Sequence, residues 1–168
     1  TSQSLARNPP CRLAIAHEKH PDWQASPKLA VALDFSPHAE KALQLAIELA
    51  RQNNAELHLV HVVYPASPVF LPERGIAYAG GEYLEVEAVQ ERATAEMNQL
   101  METYGPQLKN LKWTSEVTTG YPTREIVDYL KEHDIDGIFM GTVGRSALDN
   151  FLLGSVADGV IKHTPCTI

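Results

Sequence analysis

Short apolar runs alternate along the chain with longer segments whose apolar residues recur at helical spacing. The runs at 28–34 and 57–63 are nearly continuous, an alternating segment at 113–118 predicts a third strand, and the segment at 136–140 predicts a fourth. Continuous apolar runs are typical of strands buried on both faces of a parallel sheet. A shorter run, 166–168, predicts the beginning of a fifth strand at the end of the chain.

The segments between these runs carry helix signals. Ser36 followed by Pro37 predicts a helix start, because serine caps a helix and proline is favoured at its first position. Further helices are predicted at 84–104, where Gly105-Pro106 would end the helix, and after Gly120. A long loop is predicted between them, from Tyr64 to Gly81, because this segment contains three prolines and ends in two glycines.

The alternation of strands and helices predicts an α/β fold with an open parallel sheet and right-handed crossovers. Ligands of such sheets bind beyond the carboxyl ends of the strands. Asp34 ends the first predicted strand and Gly141 follows the fourth. We therefore expect both residues to face the same crevice.

A glycine pattern near the end of the chain is the main candidate for chemistry. Gly141-Thr142-Val143-Gly144 is followed by nine residues and then by Gly154-Ser155, where a helix is predicted up to His163. Glycine permits positive φ and close approach of the backbone to a ligand, and a helix start offers N–H groups and a positive dipole end. The spacing differs from the Walker A and Gly-x-Gly-x-x-Gly motifs. The pattern predicts an anion-binding loop, with ordinary turn chemistry as the alternative.

Together with three further motifs, this pattern resembles the universal stress protein family over residues 28–168. The other motifs are VALDFS at 31–36, LVHVV at 59–63 and Gly120-Tyr121-Pro122. The resemblance implies a Rossmann-like fold with strand order 3-2-1-4-5 and helices on both faces, and usually a homodimer. It also implies ATP binding, because this chain keeps the full glycine pattern of the ATP-binding members.

The resemblance and the chemistry of the residues together suggest a phosphate side of the site. Gly141 and Gly144 would let the backbone wrap the phosphates, and the start of the last helix would donate N–H groups. Thr142 would hydrogen-bond a phosphate or the ribose. Arg145 would meet the terminal phosphate, or would be a solvated charge. The predicted phosphate-side set is Gly141, Thr142, Gly144, Arg145, Gly154, Ser155 and Val156.

The base side of the site follows from the same resemblance. Ala32, Val62 and Met140 match the family's adenine-side positions, although burial in the core would explain them equally well. Asp34, when ionised, would accept a ribose hydroxyl or reach a phosphate through a nucleotide-bound cation such as Mg²⁺. A solvated carboxylate before a helix is the alternative. The expected ligand is ATP, or ADP or AMP, and no metal site made of protein ligands is predicted.

Charge and composition exclude several other functions. The formal net charge is −7 and no Lys/Arg-rich stripe is present, which disfavours nucleic acid. No stretch has the length of a membrane span and no signal peptide is evident, so a cytoplasmic protein without a membrane partner is expected. A P-loop lysine and paired Mg²⁺ carboxylates are missing. The resemblance implies a stress-response binding or signalling module, with a slow ATP hydrolase or adenylate-transferring enzyme, or a nucleotide-free protein-interaction domain, as alternatives.

Residues 1–27 form an extension before the domain at 28–168. Pro10-Cys11 aligns with Pro165-Cys166, where the fifth strand is expected. The alignment predicts a strand near 12–16 that pairs at an exposed sheet edge. It suggests one repeat of a tandem protein, whose partner would be a second repeat or a second copy of the chain, with chance similarity as the alternative.

Overall fold

The computed structural model describes residues 14–15, 26–64, 69–71, 76–79, 82–142 and 153–168. The strands are β1 (Lys28–Ala32), β2 (Glu56–Val63), β3 (Val69–Leu71), β4 (Ile76–Ala79), β5 (Glu82–Glu85), β6 (Lys112–Thr119) and β7 (Gly137–Met140). The helices are α1 (Pro37–Asn53), α2 (Val86–Leu108), α3 (Pro122–Glu132) and α4 (Ser155–His163).

The central sheet is parallel and has the strand order β6-β2-β1-β7. The predicted α/β fold is confirmed, and these strands follow the first four places of the order 3-2-1-4-5. In the fifth place, Thr167 forms an isolated parallel bridge with Gly137 of β7. The carboxyl ends of β1, β2 and β7 therefore lie side by side.

An N-terminal residue extends this edge of the sheet. Ile15 N–H donates to the Ile168 carbonyl oxygen at 2.7 Å, and Ile168 N–H donates to the Ile15 carbonyl oxygen at 3.0 Å. Two bonds exchanged between the same residues are the pattern of an antiparallel pair. Ile15 belongs to the strand expected near 12–16; residues 12, 13 and 16 lie outside the described residues, and the origin of this segment in a preceding repeat stays a prediction.

Helices cover both faces of the sheet, because alternate residues of each strand are buried on opposite sides. On one face, Leu29 and Leu57 pack with residues of α1 and α2. On the other, Ala30 and Ile138 pack with residues of α3 and α4, such as Leu130. Among the described helices, none is both long and apolar enough to cross a membrane.

The start of α1 is capped as the sequence predicts. The Ser36 hydroxyl oxygen accepts a hydrogen bond from Ala39 N–H at 3.2 Å, and Pro37 is the first helical residue. Asn54 ends the helix in the left-handed conformation. This places the residues just before α1 at the carboxyl end of β1.

The prediction of a long loop from Tyr64 to Gly81 is wrong. The three strands β3, β4 and β5 pair in order as an antiparallel sheet. Only Gly80-Gly81 separate β4 from β5 in the sequence, and a two-residue glycine link between apolar runs is a hairpin signal. The three prolines of this segment favoured a loop instead, because proline is disfavoured inside strands.

Helix α2 also extends beyond its predicted end at Gly105-Pro106. It continues to Leu108, which is 2% exposed, while Tyr104 is 4% exposed. A proline in the last turn removes one backbone hydrogen bond. Burial of Leu108 offsets that loss, so the helix continues for another turn.

Candidate functional site

A cavity of about 250 Å³ lies at the carboxyl ends of β1, β2 and β7. All predicted site residues that the structure describes line it, although their roles toward a ligand stay predictions. Gly144 and Arg145 lie outside the described residues. The predicted residues that line the cavity are Ala32, Asp34, Val62, Met140, Gly141, Thr142, Gly154, Ser155 and Val156.

Further residues that sequence reasoning did not assign to the site also line the cavity. Pro122 belongs to the Gly120-Tyr121-Pro122 motif, which could have indicated it. His61 lies near the carboxyl end of β2, where parallel strands present ligand-binding residues. The remaining lining residues are brought to the cavity by packing, and no local sequence motif marks them. The additional lining residues are Leu33, Val60, His61, Pro122, Ile126 and Ala157.

One wall of the cavity is apolar. Ala32, Val62, Met140 and Val156 are partly buried against the core between the sheet and helices α3 and α4. The same residues line the cavity, so the core continues into the cavity wall. A flat apolar group fits against such a surface. Core packing and ligand binding are thus compatible at these positions.

The start of α4 forms the opposite side. Its N-cap, Gly154, makes no side-chain cap hydrogen bond, so the first helical N–H groups have no side-chain acceptor at that cap. The Gly154 N–H itself donates to the Thr142 carbonyl oxygen at 2.8 Å. This N–H is therefore already bonded within the loop, and the role of Gly154 toward a phosphate stays a prediction. The remaining donors of the first turn are Ser155, Val156 and Ala157.

Helix α3 also begins at the cavity. Pro122 is its first residue, and its N-cap, Tyr121, makes no side-chain cap hydrogen bond. Two positive helix ends therefore face the same cavity. Among the described lining residues Asp34 is the only carboxylate, and lysine and arginine are absent. Backbone dipoles dominate the positive potential that these residues provide.

Position 141 does not need a glycine for positive φ, and the role of Gly141 in wrapping the phosphates stays a prediction. Its backbone lies outside the left-handed region, and Gly154 has φ −60°. A Cβ added at Gly141 would lie 3.1 Å from the backbone nitrogen of Ala39 and 3.1 Å from Cβ of His38. Close packing of the loop against the start of α1 therefore favours a glycine here.

The left-handed conformation occurs instead at Phe35, beside Asp34. Phe35 has φ 58°, which is costly for a residue with a side chain. Asp34 Oδ1 accepts a hydrogen bond from Ser36 N–H at 3.0 Å, across the strained residue. This turn leads from β1 into α1 and fixes Asp34 at the cavity.

His61 holds this turn from the neighbouring strand. Its Nδ1–H donates to the Leu33 carbonyl oxygen at 2.7 Å, since a carbonyl can only accept. Its ring also lies against the Phe35 ring, with 4.4 Å between centroids. The strained turn is thus supported by a hydrogen bond on one side and a ring contact on the other.

His58 belongs to a separate cluster. It is 4% exposed, its Nδ1 lies 3.0 Å from Tyr129 Oη, and its buried Nε2 has no hydrogen-bond partner among the described residues. Burial lowers the pKa of His58 below its ordinary value of 6.5, although the nearby Glu56 carboxylate acts in the opposite direction. Groups of three or more side chains able to hold a metal ion do not occur within the described residues.

The fold and the cavity define a Rossmann-like α/β protein with a ligand crevice at the carboxyl edge of its sheet. The model of the universal stress protein family matches residues 26–168. This match spans most of the chain, so the chain belongs to the universal stress protein family.

Known relatives agree with this assignment. Universal stress protein MJ0531 of Methanocaldococcus jannaschii is 32% identical over 141 residues, covering 84% of this chain and 79% of that protein. The structure of the universal stress protein UspA from Lactobacillus plantarum is similar with a TM-score of 0.68 and 22% identity, covering 83% of this chain and 93% of that chain. A universal stress protein solved in complex with cAMP has a TM-score of 0.56 and 19% identity, covering 84% and 93% of the two chains. At these identities, both structures show the shared fold.

Proposed function

We propose that this protein binds an adenine nucleotide, ATP, ADP or AMP, in the cavity at the carboxyl ends of β1, β2 and β7. The observation that carries the proposal is that an apolar wall and two uncapped helix starts line one cavity. The base would lie against Ala32, Val62 and Met140, and the phosphates would lie at the start of α4.

Groups at the cavity would also bind the phosphates and the ribose of a nucleotide. The Ser155 hydroxyl and the N–H groups of the first turn of α4 would donate to phosphate oxygens. Asp34 would accept a ribose hydroxyl or approach a phosphate through Mg²⁺. Mg²⁺ would arrive with the nucleotide, because Asp34 is the only carboxylate among the described lining residues. The universal stress protein of similar fold that was solved in complex with cAMP holds a ligand of this class, since cAMP is an adenine nucleotide.

We further propose a binding module in stress-response signalling rather than an enzyme. Phosphoryl transfer requires positioned cations and a group that orients the nucleophile. The sequence lacks a P-loop lysine, and its glycine pattern is not a Walker A motif. The nucleotide would therefore stabilise one state of the protein, which a partner or a second copy would recognise.

A proline substitution at Ser155 tests the proposal. Ser155→Pro removes one N–H group but suits the first position of a helix. The preceding Gly154 has φ −60° and ψ 149°, an extended conformation that a following proline permits. Ser155→Ala is the matched control, because it removes only the hydroxyl. Asp34→Asn removes the charge but keeps an oxygen for the Ser36 N–H.

The measurement is the melting temperature with and without Mg-ATP. At about one hundred times Kd, ATP is expected to raise the melting temperature of the wild type by about 5 to 10 °C. The Ser155→Pro variant should lose most of this shift in melting temperature, whereas the Ser155→Ala variant should lose a smaller part of it. The absence of any shift in the wild type at millimolar ATP, ADP and AMP would refute the proposal.

A further inference from the structure

Two exposed tyrosines lie together at one end of the central sheet. Tyr64 is 44% exposed and Tyr121 is 52% exposed, while most large apolar side chains of the described residues are covered. Their ring centroids are 5.5 Å apart, with an angle of 41° between the ring planes. Exposed neighbouring aromatic rings are a common feature of binding surfaces.

The backbone holds this pair in register. Gly120 N–H donates to the Val63 carbonyl oxygen at 3.1 Å, and each tyrosine immediately follows one of these bonded residues. The end of β2 and the start of α3 are thereby joined directly below the rings. The pair is therefore a built feature of the sheet end rather than a chance contact between flexible side chains.

The tyrosine pair lies beside the apolar wall of the cavity. Tyr64 follows Val62 by two residues, and alternate residues of an extended segment share one face. Tyr121 directly precedes Pro122. Both Val62 and Pro122 line the cavity. Tyr64 and Tyr121 are not themselves lining residues; each lies within two positions of one, so the pair borders the cavity on the side of its apolar wall.

We propose that Tyr64 and Tyr121 form an aromatic rim that stacks against the base of the bound nucleotide and so selects nucleotides over bare polyphosphate. The inference rests on the proposed nucleotide binding and adds the residues that set its selectivity. Every base has a flat π-face, so stacking contributes to affinity without reading hydrogen-bond donors or acceptors. Bare polyphosphate gains nothing from the rim, because its charged groups have no such face.

Paired substitutions test the rim. Tyr64→Leu with Tyr121→Leu keeps apolar bulk but removes both rings, and the double phenylalanine variant keeps the rings without their hydroxyls. Trp113→Leu is the matched control, because Trp113 is a 37% exposed aromatic residue near the amino end of β6, away from the cavity. Affinities for ATP and for tripolyphosphate are measured by calorimetry, with competition against ATP when the second ligand is weak.

The double leucine variant should lose about ten-fold in ATP affinity, the effect expected for one stacked base. Its tripolyphosphate affinity should change by less than about two-fold, because stacking contributes nothing to that ligand. The double phenylalanine variant and Trp113→Leu should bind both ligands like the wild type.

Other results overturn the proposal in distinguishable ways. Unchanged ATP affinity in the double leucine variant, or equal losses for both ligands, would refute the aromatic rim and leave nucleotide binding intact. Loss in the double phenylalanine variant as well would show that the hydroxyls, not the ring faces, act. Failure of the wild type to bind either ligand would refute the proposed function and, with it, the rim.

Discussion

His61 Nδ1–H donates to the carbonyl oxygen of Leu33 at 2.7 Å and so ties β2 to the turn that carries Asp34. The same imidazole lies against Phe35, the residue in the left-handed conformation. One side chain thus supports a strained turn at the edge of the cavity. We expect His61 to be a positioning residue that acts on a ligand through the turn carrying Asp34.

Replacement of His61 should weaken nucleotide binding more than its effect on stability explains. His61→Leu loses both the donor and the ring, and should lower the free energy of unfolding by about 1 to 2 kcal/mol. His61→Asn keeps a side-chain N–H near the position of Nδ1, whereas His61→Phe keeps a ring. If the hydrogen bond positions Asp34, the His61→Asn variant should retain more of the ATP affinity than the His61→Phe variant. Calorimetry with ATP and melting curves without it separate the two effects; an unchanged ATP affinity in His61→Leu would contradict the positioning role.

Phe35 should tolerate glycine better than alanine. Both substitutions remove the ring, but only alanine keeps the cost of a side chain at φ 58°. Phe35→Gly is therefore expected to be about 1 kcal/mol more stable than Phe35→Ala, as measured by urea unfolding. Asn54, at φ 51° after α1, is the control: the same glycine-over-alanine order is expected there, without a change in ATP affinity. Alanine equal to glycine at position 35 would argue against strain.

Gly141→Ala should destabilise the fold in the absence of any ligand. The new Cβ would lie 3.1 Å from the backbone nitrogen of Ala39, which cannot move without shifting α1. A cost of about 1 to 3 kcal/mol is expected from such overpacking. Gly105→Ala is the control, because a Cβ added at Gly105 would have no atom within 4 Å. Equal stability of Gly141→Ala and the wild type in a denaturant titration would disprove the packing role.

His58 should make the folded state less stable as the pH falls below neutrality. Burial lowers its pKa below 6.5, so the unfolded chain binds a proton that the folded protein resists. Stability attributable to His58 is present above pH 6.5 and is lost as the pH falls through 6.5 toward the folded pKa. His58→Asn keeps a polar group toward Tyr129 and should flatten the dependence between about pH 7.5 and 5.5. The comparison uses melting temperatures; identical pH slopes in both proteins would count against the assignment.

Glu56 affects stability in a lower pH range than His58 and therefore does not interfere with this test. A hydrogen bond from Lys112 holds the pKa of Glu56 below its ordinary value of 4.5. Its contribution is complete above pH 4.5 and is lost as the pH falls through the lowered pKa. The window chosen for His58 therefore lies above the range in which Glu56 titrates.

Local patterns were enough to predict the parallel sheet, the cap of α1 and the convergence of Asp34 and Gly141 on one cavity. Strand and helix periods are properties of neighbouring residues, and Ser36-Pro37 caps a helix through contacts within one turn. Asp34 and Gly141 converge because the carboxyl ends of parallel strands share an edge. Each of these predictions depends on short-range chemistry and one topological rule.

Tertiary contacts decided the rest. The start of α1 leaves little room for a Cβ at Gly141. The Gly154 N–H donates to the Thr142 carbonyl oxygen, and the His61 ring donates to the Leu33 carbonyl oxygen from another strand. The sequence alone determined the strands and helices of the central parallel layer and the sheet edge at which the cavity lies. Only the packed structure decided which donors remain for a ligand, because that depends on distances between residues far apart in the chain.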